Sequence, residues 1–398
     1  MKEQKRKLLS AVNKNQLWHI AEDLISLESE VVSGNEKYVA QYVFDFFQKL
    51  GLHPKKDFCS KERFNVVVEI PGSDDTHKRI MYIGHLDVVP AGVEEQWTSP
   101  PYIPEIRDGR MYGRGSCDMK GSIACSMYAT ELLIKNNIEL KGSLLLVYDV
   151  DEENSNLGLK KYLKNCPNAD FVIVGEPTNM QIALGHRGVM AFTVSIYGKS
   201  AHAAQPQQGN NAVYAVSFLI KLIQELNNKL AQNEEEYIGA GSIQVTKIEG
   251  GTKVNIIPDL CKIRIDRRLI KGENKNSCTA QLQDLLEQME KVTGCKWDFE
   301  ITTYCPPGKC EENLKEIQVI KNNIVELYTQ KPVVKGFEAS CEAGLITEAL
   351  GIPAVIFGPG SIEQAHHIDE YITLDQLEKG ISLYIGIFYD ILTQSMDD

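Results

Sequence analysis

Apolar residues recur at helical spacing over residues 8–27, with Leu17, Ile20, Ala21 and Leu24 on one face. The pattern returns after Ser33, where Val39, Tyr42, Val43, Phe46, Phe47 and Leu50 line a second apolar face. Ser33 and Glu36 have the S-x-x-E spacing of a capping box, and Gly51 is placed to end that helix. Short apolar runs predict strands at Asn65 to Ile70, Arg79 to Ile83, Lys141 to Val150, Phe171 to Val174 and Ala354 to Phe357. Helices are predicted over about 120–135 and over 314–328. Continuous apolar strands alternating with helices imply an α/β fold, with a mixed, largely parallel sheet flanked by helices.

The pattern changes after His186. Gly188 to Tyr197 alternates as a strand, a long helix spans Asn211 to Leu230, and strands follow at Ser242 to Ile248 and Leu260 to Leu269. A helix from Thr279 to Val292 and a strand from Lys296 to Thr303 complete a β-α-β-β-α-β order, that of a ferredoxin-like α+β domain. The predicted organisation is therefore one domain made of residues 1–186 and 306–398, with an inserted ferredoxin-like domain at 187–305.

A length of 398 residues is consistent with two cores, and 43% hydrophobic with 24% charged residues is ordinary for a globular protein. The net charge of −12 argues against nucleic acid or an anionic membrane as the main partner. No apolar run approaches the roughly 18 residues of a spanning helix. The basic N-terminus lacks the apolar core of a secretory signal. Ten scattered cysteines without a C-x-x-C pair suit reduced thiols, and the expected location is the cytoplasm.

Chemistry gathers at the ends of the predicted strands. The run Met81 to Ile83 hands off to Gly84, His85, Leu86 and Asp87, and i, i+2 spacing on extended backbone lets Asp87 accept a hydrogen bond from the His85 ring. Asp118 sits among Gly113, Gly115 and Gly121 in a turn-rich segment. Asp151, Glu152 and Glu153 follow one strand, Glu176 another, and Gly358-Pro359-Gly360 with His366 and His367 a third. Open α/β sheets bind ligands outside the carboxyl ends of their strands, so these groups can converge on one crevice. Two imidazoles and three carboxylates, one shared, would hold two divalent ions in a mixed N/O environment. Glu152 and Glu153 point in opposite directions on extended backbone, so one can ligate while the other acts as a base. The chain has no H-E-x-x-H, no G-x-S-x-G and no G-x-x-x-x-G-K-[ST] motif.

GHLDVVP, GRGSCDMKG, DEE, GEPT, GKSAHAAQP, NIIPD and GPGSIEQAH occur in this order. On these motifs, across nearly its whole length, the chain resembles the dinuclear zinc amidohydrolases and exopeptidases that include acetylornithine deacetylase, succinyl-diaminopimelate desuccinylase, aminoacylase and carboxypeptidase G. The resemblance implies that Asp118 bridges two divalent metals, with His85 and Glu176 completing one site and Glu153 and His366 the other. Zinc is the first expectation, with cobalt or manganese as alternatives. It further implies that Glu152 is the general base, that Asp87 orients His85, and that Asp118-Met119 is a cis peptide. His202 is implied as an oxyanion stabiliser, commonly supplied by a partner subunit. Asn255, Arg268 and Gly360 are implied as substrate contacts, and the inserted domain as a lid that also mediates homodimerisation.

The expected activity is hydrolysis of the amide bond of a small N-acyl amino acid by water, without a covalent intermediate. The stretch SCEAGLITEALGIPAVIFGPGSIEQAHHIDEYI looks most like the acetylornithine deacetylases. Many relatives carry Asp-Ala-Arg where this chain has Cys341-Glu342-Ala343-Gly344, a departure that counts against a desuccinylase without establishing the deacetylase. Deacetylation of N-acetylornithine or a similar N-acetyl amino acid is the first expectation, and succinyl-diaminopimelate desuccinylase, or a dipeptidase or broader aminoacylase, is the enzyme alternative. A non-catalytic dimeric binding protein on the same fold would show missing ligands, and none is missing.

Overall fold

The computed structural model describes residues 2–74 and 76–393, which form two compact units. The first unit comprises the described residues within 1–184, 309–335 and 341–398. Its centre is a mixed nine-stranded sheet. Four neighbouring strands, Ser143–Asp149, Arg79–His85, Phe171–Val174 and Ala354–Ile356, run parallel and carry the unit's most buried apolar runs. His85 is paired with Asp149, and Val174 lies in register with both Ile83 and Ile356, so the carboxyl ends of all four strands reach the same edge. Antiparallel strands extend the sheet on both sides, Phe64–Ile70 and Lys55–Phe58 on one and Ile182–His186 on the other.

Helix Gly121–Lys135 is buried at every position from Gly121 to Leu133. It packs against helices Lys14–Ser26 and Leu374–Thr393, and its sequence is accordingly apolar all round rather than amphipathic. No described helix is long and apolar enough to cross a membrane.

The second unit comprises residues 185–308 and 336–340. Its antiparallel sheet has the order Ser242–Gly250, Leu260–Leu269, Gly188–Tyr197, Lys296–Cys305. Helices Ala212–Leu230 and Lys275–Thr293 bury their apolar stripes against it, and the alternating burial along Gly188–Tyr197 marks a sheet covered on one face. Asn274 caps the second of these helices in a reciprocal pair with Ser277. This is the ferredoxin-like arrangement that the sequence pattern predicts.

Several local expectations are corrected. The apolar stretch over 8–27 is two helices, Glu3–Ser10 and Lys14–Ser26, because the Asn13 side chain accepts the N–H groups of Asn15 and Gln16 and starts a new helix. The Ser33–Glu36 capping box does not form. The Ser33 hydroxyl donates to the Glu30 carbonyl, the helix starts after Asn35, and Glu36 turns inward to Arg63. Helix Leu374–Thr393 and the small antiparallel sheet Glu105–Arg107, Arg110–Tyr112, Tyr371–Thr373 are additions that the sequence reading did not contain.

Candidate metal centre

The parallel strand ends deliver the acidic and imidazole groups to one place. Strand Arg79–His85 ends in a buried His85, whose Nδ1 lies 2.9 Å from the backbone carbonyl of Asp87. That contact fixes the ring so that Nε2 faces 3.1 Å from Asp118 Oδ1 and 3.7 Å from Glu176 Oε1. On the other side of Asp118, His366 Nε2 lies 3.3 Å from Oδ2 and 3.1 Å from Glu153 Oε1. Each oxygen of one carboxylate thus faces a different imidazole. His85, Asp118 and Glu176 form one group with donor atoms within 4.8 Å of one another, and Asp118, Glu153 and His366 form a second.

The surroundings position these groups through backbone contacts. Asp118 lies in an irregular turn, Ser116–Lys120, ahead of helix Gly121–Lys135, and the Asp118-Met119 peptide is cis. Gly115 enters that turn at φ +83°, and a Cβ there would meet Val88 Cγ1 at 2.6 Å, so glycine is required. Buried Glu370 accepts the N–H groups of Cys117 (2.9 Å) and Asp118 (3.1 Å) and is paired with Arg114 at 2.5 Å.

Asp87 corrects the expectation from the i, i+2 spacing. Its carbonyl, not its carboxylate, meets the His85 ring, while the carboxylate accepts the N–H groups of Glu152 (3.1 Å) and Glu153 (3.0 Å). Asp151, at φ +71°, is paired with Arg63 at 2.7 Å, and Arg63 also binds Glu36, so the acidic turn is held at both ends.

Two further carboxylates complete the cluster and were not singled out as site residues in the sequence reading. Glu342, the first residue of helix Glu342–Leu350, forms a third group with Glu152 and Glu176. Both of its oxygens are buried without a hydrogen-bond partner, as are both oxygens of Asp149. The signals were available: Glu342 stands in the segment that departs from Asp-Ala-Arg, and Asp149 is the one acid inside the apolar run ahead of Val150.

The electrostatics follow from this packing. Burial, then the charge of Glu342, pushes the Glu152 carboxyl well above the ordinary range, and burial with Asp118 nearby does the same to Glu176. Burial raises Glu342 to about 7. Burial opposes ionisation of Asp118, but hydrogen bonds to His366 and His85 hold it below the usual carboxylate range. The hydrogen bonds to Asp118 and Glu153 raise His366 to about 10. Among the described residues, no lysine or arginine pairs with Asp118, Glu152, Glu153, Glu176 or Glu342. Buried acids that face one another without a cationic side chain form a donor set that fits divalent cations.

The remaining predicted residues are His202, Asn255, Arg268 and Gly360. His202 and Asn255 are exposed neighbours in the second unit, where the Ala203 N–H donates to the Asn255 carbonyl and the Ala204 N–H to His202 Nδ1. The Arg268 fork is engaged by Asp266 of its own strand, at 2.9 and 3.3 Å. Gly360, at φ +90°, donates its N–H to Gln376 and accepts from the Asn179 N–H, and a Cβ there would meet Cys117 Sγ at 2.7 Å.

Comparison with known proteins places this geometry. The profile of Peptidase family M20/M25/M40 matches residues 81–390. A succinyl-diaminopimelate desuccinylase of Rickettsia bellii (strain RML369-C) is 28% identical over 390 residues, 94% of this chain and 95% of that protein. Among solved structures, aminopeptidase PepT from Bacillus cereus superposes with a TM-score of 0.81 at 22% identity, over 96% of this chain and 99% of that one. The Bacillus subtilis YXEP protein, described as a dinuclear metal-binding peptidase, superposes with a TM-score of 0.73 at 16% identity, over 95% and 98%.

Proposed function

We propose, from the premise that this chain belongs to Peptidase family M20/M25/M40 and is a metal-dependent hydrolase, that it cleaves the amide bond of a small N-acyl amino acid at the cluster around Asp118. The observation that carries this reading is the placement of two imidazoles on the two oxygens of Asp118, each with a further glutamate beside it. His85, Asp118 and Glu176 would hold one divalent cation, and Asp118, Glu153 and His366 the other. Zinc suits this N/O donor set best, and cobalt or manganese fits the same groups. Two such cations would supply Lewis acidity, lowering the pKa of a water toward neutrality and polarising the scissile carbonyl.

Glu152 takes the proton of the attacking water on its carboxylate and returns it to the departing nitrogen. Asp87 orients His85 through its carbonyl and, through its carboxylate, fixes the turn that carries Glu152. The roles of His202 in oxyanion binding and of Asn255, Arg268 and Gly360 in substrate binding rest on the resemblance alone, as does homodimerisation through the second unit. A cytoplasmic location is supported by the ten scattered cysteines, which lack a C-x-x-C pair.

N-succinyl-diaminopimelate is the first substrate to test, supported by the names of relatives such as the Rickettsia bellii protein. N-acetylornithine is the second, supported by the C-terminal stretch around Glu342 and His366. Metal analysis of the purified protein, followed by assay on these two substrates and a dipeptide panel, tests the reading. About two divalent ions per chain with metal-dependent amide hydrolysis is the expected result. A protein that binds no divalent metal and hydrolyses none of the panel would refute it.

A further inference from the structure

A cavity of about 620 Å³ opens in the first unit at the opposite end of the sheet from Asp118. Arg79 and Ser143, which line it, begin the strands that His85 and Asp149 end. At ~3.3 Å per residue, strand Arg79–His85 separates cavity from metal centre by roughly 20 Å, so the cavity is no part of the catalytic crevice. Its volume falls in the range of small-molecule sites.

The lining has two characters. Val67, Leu145, Pro71 and Pro167 supply an apolar surface against which Tyr162, itself buried, is packed. The Tyr162 hydroxyl and the Arg79 Nε are both buried in the wall without a hydrogen-bond partner. The ionisable residues are His53, Lys55, Arg79 and Lys161 against Asp57 and Glu69. Both acids are already engaged: Glu69 with Arg79 at 3.1 Å, and Asp57 with Asn65 at 3.0 Å and Lys161 at 4.0 Å. Lys55 is exposed at the rim. Lys55, Arg79 and Lys161 against these two acids leave a surplus of one positive charge, carried by Lys55 at the rim, which in a chain of net charge −12 runs against the overall field and favours anions.

We propose that this cavity is a second, non-catalytic binding site for a small organic anion, with an apolar body on the Val67–Leu145 surface and a carboxylate toward Arg79, Tyr162 and Lys55. The apolar floor favours such a molecule over inorganic phosphate, and the cationic surplus favours it over an amine of the same shape.

The test uses the full-length, metal-loaded protein with phenylacetate as probe, and phenethylamine and inorganic phosphate as comparisons, by isothermal titration calorimetry. Asn165→Trp places a large side chain at the mouth from an exposed position, and Lys55→Glu inverts the rim charge. Neither residue belongs to the metal centre, so amide hydrolysis in both variants reports that the fold is intact. The expected result is phenylacetate binding that is lost in Asn165→Trp and weakened at least about fivefold in Lys55→Glu, with no phenethylamine binding. Phenylacetate binding unchanged in both variants places the probe at the metals and overturns the proposal. No binding to the unmodified protein overturns it too, as does phenethylamine or phosphate binding as tightly as phenylacetate.

Discussion

The carboxylate of Asp87 receives the backbone N–H of Glu152 at 3.1 Å, and that of the next residue at 3.0 Å, so a strand-end acid acts as the anchor of the turn that presents the proposed base. The side chain that a sequence reader assigns to orienting the His85 ring instead orients a backbone. Asp87→Asn keeps the shape but replaces one acceptor oxygen with a donor facing an N–H group. Loss of such a supporting contact costs about 10–100-fold in activity or metal affinity. The expected signature is a fall in kcat with His85 still in place, checked by kinetics and a crystal structure of the variant.

Glu152→Ala removes the proposed proton carrier and none of the groups around Asp118. Turnover should drop by about 10²–10⁴-fold while metal content stays at the unmodified level. Metal analysis of the same preparation distinguishes this from a collapsed site. Substantial retained activity would remove Glu152 from the mechanism.

Glu370 supports Asp118 from behind, accepting its N–H and that of Cys117 while paired with Arg114. Glu370→Ala leaves a buried guanidinium and two buried N–H groups without their acceptor. Breaking a buried pair in this way costs about 3–5 kcal/mol. A lowered denaturation midpoint, with faster metal loss on dialysis, is the expected outcome, read by urea unfolding and metal analysis.

His366 is raised to about 10 in the metal-free protein by its hydrogen bonds to Asp118 and Glu153. Because the folded value lies above the ordinary one of about 6.5, its stabilising contribution is complete below that pH and disappears as pH climbs toward 10. A divalent cation needs the neutral ring, so loading must expel a proton. Calorimetric titration of the metal-free protein with zinc at pH 7, in buffers of different ionisation enthalpy, should show net proton release and an affinity that increases with pH.

Glu342 shifts stability in the same direction, over a more acidic window. Its carboxyl is raised from 4.5 to about 7 by burial, so the folded metal-free chain holds this proton more tightly than the unfolded one. Stability attributable to that proton is therefore lost as pH rises from 4.5 to about 7. Glu342→Gln, neutral at all pH, should melt higher than the unmodified metal-free protein at pH 8 and about equally at pH 4, as followed by thermal unfolding.

Much of the architecture was legible because burial imposes regular patterns on the chain. The parallel strands announce themselves as continuous apolar runs, and the second unit as alternation along Gly188–Tyr197. His85, Glu153, Glu176 and His366 could be read as acids and imidazoles that follow strands, and Asp118 from its glycine-rich turn. What escaped depends on contacts between distant segments. Glu36 looks like a cap residue from its spacing to Ser33, but Arg63 claims it. Glu370 looks like a surface acid, and only the fold brings it behind Asp118. Helix Leu374–Thr393 went unread although Leu377, Ile381, Tyr384, Phe388 and Leu392 recur on its buried face at helical spacing.

Asp118 faces His85 from early in the chain, but its other oxygen and its N–H wait for His366 and Glu370. During synthesis the ribosome must release the whole second unit and most of the returning segment before those partners exist. Four of the five donors, His85, Asp118, Glu153 and Glu176, therefore precede the second unit and only His366 follows it, so the emerging polypeptide would offer only one cation its full set. The donor set of the second cation would be complete only once His366 has emerged, among the last segments to be made.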